Sequence, residues 1–447
     1  MMGKYFGTDG IRGIAGKDLN VDLAYRIARA LGAVLNDEEK KEVIIGRDTR
    51  FSGKMLENAM AAALAEMGFD IRLAGIIPTP GIAYVTRIEK ASAGIVISAS
   101  HNPFEYNGIK IFSKDGYKLS DDQEEELEKL IDQGVGPEYN KSGHDIGEIR
   151  EDFVLSNEYY EYLLNLEDLS LDGLKVAMDT GSGALYDIGP KLISKLGAEV
   201  YSINTSYDGT DINRNTGSTN PDLICNMTKY FKADVGFAFD GDADRIIAVD
   251  ENGKEVDGDR ILMICGEALK KEGRLKKDTV VGTVMTNMGL DLHLKEKGIN
   301  IVKTSVGDRY ILEEMLANGY NLGGEQSGHV IFLDYNTTGD GLATGLHLLK
   351  ILKESGKKMS ELAGALKTIP QVLVNAKVKE ENKLKYTEDK EIVSKIKEIE
   401  DKFDGRGRVL IRPSGTEPKV RVMIEAEDES IEQIARELAD LIEEKLS

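Results

Sequence analysis

Four short stretches of this chain combine reactive or ligating side chains with the small residues that let a backbone turn tightly. The first is Ile95-Val96-Ile97-Ser98-Ala99-Ser100-His101-Asn102-Pro103, an apolar run that reads as a buried strand and ends in a polar turn. A hydroxyl just past a buried strand stands on a rigid base, as a nucleophile requires, although an Asn-Pro turn with an incidental serine would look similar. His101 is no triad partner on this reading, because neighbouring side chains of an extended chain point to opposite faces. Downstream, Asn107-Gly108-Ile109-Lys110-Ile111-Phe112 alternates, which sets Lys110 opposite the faces of Ile109 and Ile111, towards a cleft or towards plain solvent.

The second stretch, Phe237-Ala238-Phe239-Asp240-Gly241-Asp242-Ala243-Asp244-Arg245, alternates three carboxylates with small residues. Like charges this close repel unless a divalent cation or a positive partner neutralises them. Asp240, Asp242, Asp244 and Glu251 fill the carboxylate positions of a calcium EF-hand loop. Arg245 stands where that loop needs glycine, however, and the flanks 235–239 and 246–249 read as strands. Oxygen-ligated Mg²⁺ is the expectation, with a metal-free acidic turn as its alternative. The third stretch, Gly323-Gly324-Glu325-Gln326-Ser327-Gly328-His329, carries groups that can hydrogen-bond several sugar hydroxyls at once, and equally reads as a hairpin loop. The fourth, Arg412-Pro413-Ser414-Gly415-Thr416-Glu417-Pro418 with Arg421 in the next strand, offers an anion cradle in which guanidinium groups grip phosphate. No Walker spacing accompanies it, and Gly181-Ser182-Gly183 lacks the third glycine of a dinucleotide fingerprint. Near the start, Gly7-Thr8-Asp9-Gly10-Ile11-Arg12-Gly13 places Arg12 in a flexible loop, of interest if it reaches Ser100.

The elements that position these stretches repeat. Apolar strands at 42–45, 175–178 and 279–284 are each followed by a helix, a glycine (Gly68, Gly197, Gly298) and a second strand. This predicts βαβ units with mostly parallel sheets. The charged segment from Asn375 to Phe403 reads as a hinge or an exposed face with an amphipathic helix around Ile392 to Ile399, and a small α+β module follows it. The acidic run Asp121 to Glu128 reads as a solvated helix face. The predicted architecture is α/β: three similar mixed α/β domains (1–155, 156–255, 256–370) and a smaller C-terminal α+β domain (371–447) around a central cleft.

With 447 residues, 57 Lys and Arg against 78 Asp and Glu, and a net charge of −21, the chain has material for several cores and a surface that repels nucleic acid and anionic lipid. No run is long and apolar enough for a membrane span and no signal-like segment is visible, so a cytoplasmic protein is expected. Cys225 and Cys265 lack metal-ligand spacing and read as reduced thiols. Because Arg12, Lys110, Arg245, Arg412 and Arg421 recur in the candidate loops, a locally positive cleft inside an acidic body is expected.

The order of the motifs, one per expected domain, resembles the α-D-phosphohexomutase superfamily. The likeness runs from Tyr5-Phe6-Gly7-Thr8-Asp9-Gly10-Ile11-Arg12-Gly13 to Arg412-Pro413-Ser414-Gly415-Thr416-Glu417-Pro418. The loop Gly324 to His329 looks like that of members acting on glucosamine phosphates, since glucose and mannose types usually carry Met where Gln326 stands; Val306-Gly307-Asp308-Arg309-Tyr310 points the same way.

The resemblance implies that Ser100 is a phosphoserine and that Mg²⁺ is held by Asp240, Asp242, Asp244 and a phosphate oxygen on Ser100. It makes Arg245 an orienting group and leaves Lys110, His101, Arg12 and His329 as unranked candidates for proton transfer and charge stabilisation. Glu325 and Ser327 would bind sugar hydroxyls, and Arg412, Ser414, Gly415, Thr416 and Arg421 the unreacting phosphate. The implied reaction converts glucosamine 6-phosphate to glucosamine 1-phosphate through glucosamine 1,6-bisphosphate, a step that in the family feeds UDP-N-acetylglucosamine and cell-wall synthesis. The C-terminal domain would hinge. A glucose or mannose phosphate mutase and a metal-dependent phosphatase are the rivals. The partner is a small phosphosugar, with a homodimer left open. Ala243, where many relatives have a second glycine, and Met178-Asp179-Thr180-Gly181, in place of a frequent Cys-Ala-Asn-Gly, are departures.

Overall fold

In each repeat a left-handed glycine ends the helix and turns the chain into the next strand: Gly68 (φ +87°) before Asp70–Ile76, Gly197 (+106°) before Glu199–Ile203, and Gly298 (+67°) before Asn300–Thr304. The computed structural model describes residues 3–7, 9–414 and 418–447. It divides into a first unit of Met1–Thr283 with Ile299–Ala365 and a second of Val284–Gly298 with Leu366–Ser447.

The first unit holds three mixed sheets. The largest runs Phe6–Gly7, Gly10–Ile14, Tyr106–Ser113, Ala93–Ile97, Glu42–Arg47, Asp70–Ile76, Ile149–Glu151, with its parallel pairings around Glu42–Arg47 and antiparallel ones towards Phe6–Gly7. Every residue of Ala93–Ile97 is buried, which suits a strand covered on both faces. The second sheet runs Glu255–Val256, Ile246–Asp250, Val235–Phe239, Lys175–Asp179, Glu199–Ile203. The third runs Asn300–Thr304, Thr279–Thr283, Leu322–Gly324, Val330–Phe332. Parallel strands deliver the chain to loops at one end of each sheet, where the candidate motifs lie.

One buried cluster ties these layers together. Asp340 caps the helix Gly341–Ser355 by accepting the Ala343 N–H (2.9 Å), and its two oxygens accept the hydroxyl of fully buried Tyr159 at 3.0 Å each. Asn336 donates to the same carboxylate at 3.2 Å and to the Pro80 carbonyl at 3.0 Å. Replacing Asp340 by alanine strands two buried donors and a helix cap, so a loss of about 3 kcal/mol is expected. Thermal melting checks this; a midpoint lowered by less than about 1 °C would contradict it.

In the second unit, Lys419–Ala426 is the central strand, antiparallel to Gln371–Lys377 and Gly407–Pro413, with helices Lys390–Phe403 and Ile431–Leu446 packed on the sheet. The charged segment 375–403 is therefore not merely an exposed face, and the expected amphipathic helix is present within it. It forms an outer strand and a packed helix, with Ala376, Ile392, Ile399 and Phe403 buried in the core with Val420, Val422 and Leu438. A short amphipathic helix needs few apolar residues to dock, so its charge-rich composition was misleading. The helix Met288–Glu296 groups with this sheet: the Met288 N–H donates to Glu425 Oε1 (2.9 Å), and Asn287 Nδ2 to the Ile369 carbonyl (3.0 Å). Among the described residues no helix is long and apolar enough to cross a membrane.

Candidate active site

The strand Ala93–Ile97 delivers Ser98, Ala99 and Ser100 to the edge of the first unit's interior. Ser100 is 1% exposed and left-handed, at φ +52°. A non-glycine residue in that region is strained, and surroundings that over-determine it are needed to hold it. The Ser100 N–H donates to Ser98 Oγ (2.9 Å), and the Ser100 hydroxyl donates to Asp240 Oδ2 (2.6 Å). The same left-handed turn corrects the expectation for His101. The chain is not extended there, and His101 Nδ1 comes to 3.4 Å from Ser100 Oγ. Arg245 Nη1 donates to that Nδ1 at 3.0 Å, so the ring proton sits on Nε2. Burial, then the charges of Arg245 and Arg12, push the His101 pKa down to about 4, which keeps the ring neutral at physiological pH.

Asp240, Asp242 and Asp244 occupy the turn between strands Val235–Phe239 and Ile246–Asp250, all three buried, with one oxygen of each within 4.8 Å of the others. Ala243 sits at φ +58°, a left-handed position that favours glycine, and alanine there costs about 1 kcal/mol. Asp242 Oδ2 accepts from Thr79 Oγ1 (2.6 Å) and Lys110 Nζ (2.8 Å), and Asp244 Oδ2 accepts from Lys110 Nζ (3.0 Å). The other oxygens, Asp242 Oδ1 and Asp244 Oδ1, are buried without a hydrogen-bond donor among the described residues. Burial and the charges of Asp244 and Asp242 raise the Asp240 carboxyl well above the usual range. For Asp244, burial works in the same direction, but Lys110 and then His329 outweigh it and hold its carboxyl well below that range. Undonated buried oxygens in a converging carboxylate set fit a hard divalent cation, so the triplet is a metal-binding site. Gly241 is required for close approach: a Cβ there would lie 2.8 Å from the Ser100 carbonyl oxygen.

Lys110, left between cleft and solvent by its alternation, is 1% exposed and faces the carboxylates, with Asp9 a third partner at 3.0 Å. These partners outweigh the cost of burial and hold its pKa well above the ordinary lysine value. Arg12 belongs to the strand Gly10–Ile14 rather than to a flexible loop and pairs with Asp9, which also pairs with Lys118; Lys118 in turn reaches Asp308. His329, in the hairpin between Leu322–Gly324 and Val330–Phe332, is 2% exposed. The Gly339 N–H donates to its Nε2 (3.2 Å), so the His329 proton sits on Nδ1, 3.7 Å from Asp244 Oδ1. Each of these cations is matched by carboxylates, so the expected positive cleft is, in this unit, a balanced ion network.

In the same hairpin Glu325 Oε1 accepts the Gly307 N–H (3.1 Å), and Ser327 is exposed. Arg245 bridges to His329 through backbone pairing, which brings this loop to the metal turn. In the second unit, Arg412 and Arg421 are direct cross-strand partners, and the Ser414 N–H donates to the Lys419 carbonyl (2.9 Å). Among the described residues, Ser414 Oγ is buried without a hydrogen-bond partner. Gly415 and Thr416 lie outside the described residues. The sequence reading gave no role to Thr79, Lys118 or Asp308. Asp9 and Lys118 are 109 positions apart and Lys118 and Asp308 190, so no local spacing could have paired them.

Models of the phosphoglucomutase/phosphomannomutase family match almost the whole chain: α/β/α domain I at residues 3–135, domain II at 157–253, domain III at 257–369 and the C-terminal domain at 373–441. The chain belongs to this family of phosphosugar mutases, which are isomerases. It is 55% identical to the phosphoglucosamine mutase of Alkaliphilus oremlandii, over 100% of both chains. To that of Finegoldia magna it is 53% identical, over 99% of both. Among solved structures, a phosphoglucomutase/phosphomannomutase family protein from Burkholderia thailandensis superimposes with a TM-score of 0.82 at 27% identity, covering 100% of this chain and 99% of the other.

Proposed function

We propose that the protein interconverts glucosamine 6-phosphate and glucosamine 1-phosphate, with Ser100 as the phosphoryl carrier. The observation that carries this reading is the Ser100 hydroxyl, held in a strained turn 2.6 Å from a carboxylate of the metal turn. A sugar hydroxyl attacks the phosphorus on phospho-Ser100; the P–O bond to Ser100 Oγ breaks as the bond to the sugar oxygen forms, and the hydroxyl proton passes to a nearby base. The product, glucosamine 1,6-bisphosphate, then returns its other phosphoryl group to Ser100. Asp240, Asp242 and Asp244 would hold Mg²⁺ together with a phosphate oxygen on Ser100. When bound, that ion supplies Lewis-acid stabilisation of the transferring phosphoryl group.

Lys110, kept charged by its carboxylate partners, and Arg245 balance negative charge at the serine. Neutral His101 offers its Nε2–H as a hydrogen-bond donor, and His329, Arg12 and Lys110 complete the unranked candidate set for proton transfer and charge stabilisation. Glu325 and Ser327 would take the sugar hydroxyls. Arg412, Ser414, Gly415, Thr416 and Arg421 would take the unreacting phosphate, a role that suits the buried Ser414 hydroxyl, which has no partner among the described residues. The glucosamine assignment is supported by the full-length likeness to phosphoglucosamine mutases and by Gln326 in the hairpin. We propose that the enzyme works in the cytoplasm and supplies amino-sugar precursors for cell-wall synthesis.

Comparing kcat/KM for glucosamine 6-phosphate, glucose 1-phosphate and mannose 1-phosphate tests the substrate. A preference for glucosamine of ~10-fold or more is expected, and a preference for mannose would overturn it.

A further inference from the structure

We propose that Arg50, with Asn213, is a positioning residue that fixes the phosphoryl-carrying serine by clamping the carbonyl groups of its loop. The proposal rests on the reading of Ser100 given above. Arg50 is fully buried, yet it touches no reacting oxygen. Its five guanidinium N–H donors are all engaged. Nε donates to Asp48 Oδ2 (2.9 Å), Nη1 to the carbonyls of Pro103 (2.5 Å) and Tyr106 (3.1 Å), and Nη2 to those of Ser100 (2.9 Å) and Asn102 (2.7 Å). Asn213, delivered by the second sheet's loops, adds Nδ2 donors to the Ser100 carbonyl (2.8 Å) and the Asn102 carbonyl (3.0 Å).

The same ion pair holds the serine from its other side. Asp48 Oδ2 accepts the Ser98 hydroxyl at 2.6 Å, and Ser98 Oγ accepts the Ser100 N–H at 2.9 Å. Both peptide groups of Ser100 are thus tied, directly or through one hydroxyl, to one Asp48–Arg50 pair. A left-handed serine persists only where its surroundings over-determine it, and this clamp does so. In-line phosphoryl transfer depends on where Oγ stands relative to the attacking hydroxyl, so loosening the carbonyls misplaces the group that must be aligned. A planar fork can span four carbonyl oxygens; a single ammonium cannot.

Arg50→Lys keeps the charge opposite Asp48 but loses the fork. In the folded fraction of this variant, kcat is expected to fall ~10²-fold with KM within ~3-fold, and phosphate released per isomerisation is expected to rise as water competes for a misplaced phosphoserine. A purely structural role would lower the folded fraction and leave the kcat and the release ratio of the folded protein unchanged. A folded Arg50→Lys enzyme with near wild-type kcat and ratio would overturn the proposal. If Arg50→Lys does not fold, Asn213→Ala decides: a ~10-fold lower kcat with a raised release ratio supports the clamp, and wild-type values overturn it. Ser100→Ala separates the two readings. Turnover in that variant removes the carrier role itself, whereas an inactive Ser100→Ala beside a fully active Arg50→Lys removes only the clamp.

Discussion

Ser100→Ala is expected to lower turnover by at least ~10⁴-fold while the protein stays folded, because the variant lacks the only atom that can carry the phosphoryl group in this scheme. The fold should tolerate it. The change removes one oxygen from a buried site, the left-handed backbone is no harder for alanine than for serine, and the Arg50 and Asn213 clamp on the Ser100 carbonyl is untouched. What is lost is the hydrogen bond from the Ser100 hydroxyl to Asp240, a carboxylate already raised by burial and by its two acidic neighbours. The stability cost should therefore stay within about 2 kcal/mol. Initial rates alongside thermal melts check both parts; turnover within ~10-fold of wild type would refute the covalent route.

Removal of divalent metal is also expected to be severe. Asp240, Asp242 and Asp244 bring three carboxylates together in a buried turn, and Lys110 donates only to the Oδ2 atoms of Asp242 and Asp244. Two oxygens remain without a donor among the described residues. An enzyme stripped by chelator should fall to below ~1% of its activity and recover on addition of Mg²⁺. Because the ligand set converges only in the folded chain, saturating metal should also raise the melting temperature, by the equivalent of about 2.7 kcal/mol at one hundred times the dissociation constant. Undiminished activity in excess chelator, or a melting temperature indifferent to Mg²⁺, would argue against the site.

Much of this site was legible before any geometry. Alternating carboxylates between two apolar runs have few structural uses, and a polar turn after Ile95-Val96-Ile97 marks a rigid edge of a sheet. The glycines that end the repeated helices were readable for a similar reason, since a left-handed position admits few residues. Failures came where side-chain direction depended on a single dihedral or on distant partners. His101 was denied a direct approach to the Ser100 hydroxyl on the assumption of an extended chain, and the positive φ of Ser100 turns it towards the hydroxyl instead. Lys110 could be assigned a face but not a destination, because its partners come from Asp9, Asp242 and Asp244 on other loops. Segment 375–403 misled through composition: its few apolar residues suffice to dock one strand and one helix into a small core.

The central claim is that Ser100 carries the phosphoryl group during turnover. Rapid-quench mass mapping of the enzyme, after loading with bisphosphate and mixing with one equivalent of glucosamine 6-phosphate, tests it most directly. The account predicts one added phosphate, located on Ser100, that disappears as sugar bisphosphate forms. Phosphate found at another residue, or remaining on Ser100 while sugar bisphosphate accumulates in that single turnover, would contradict it.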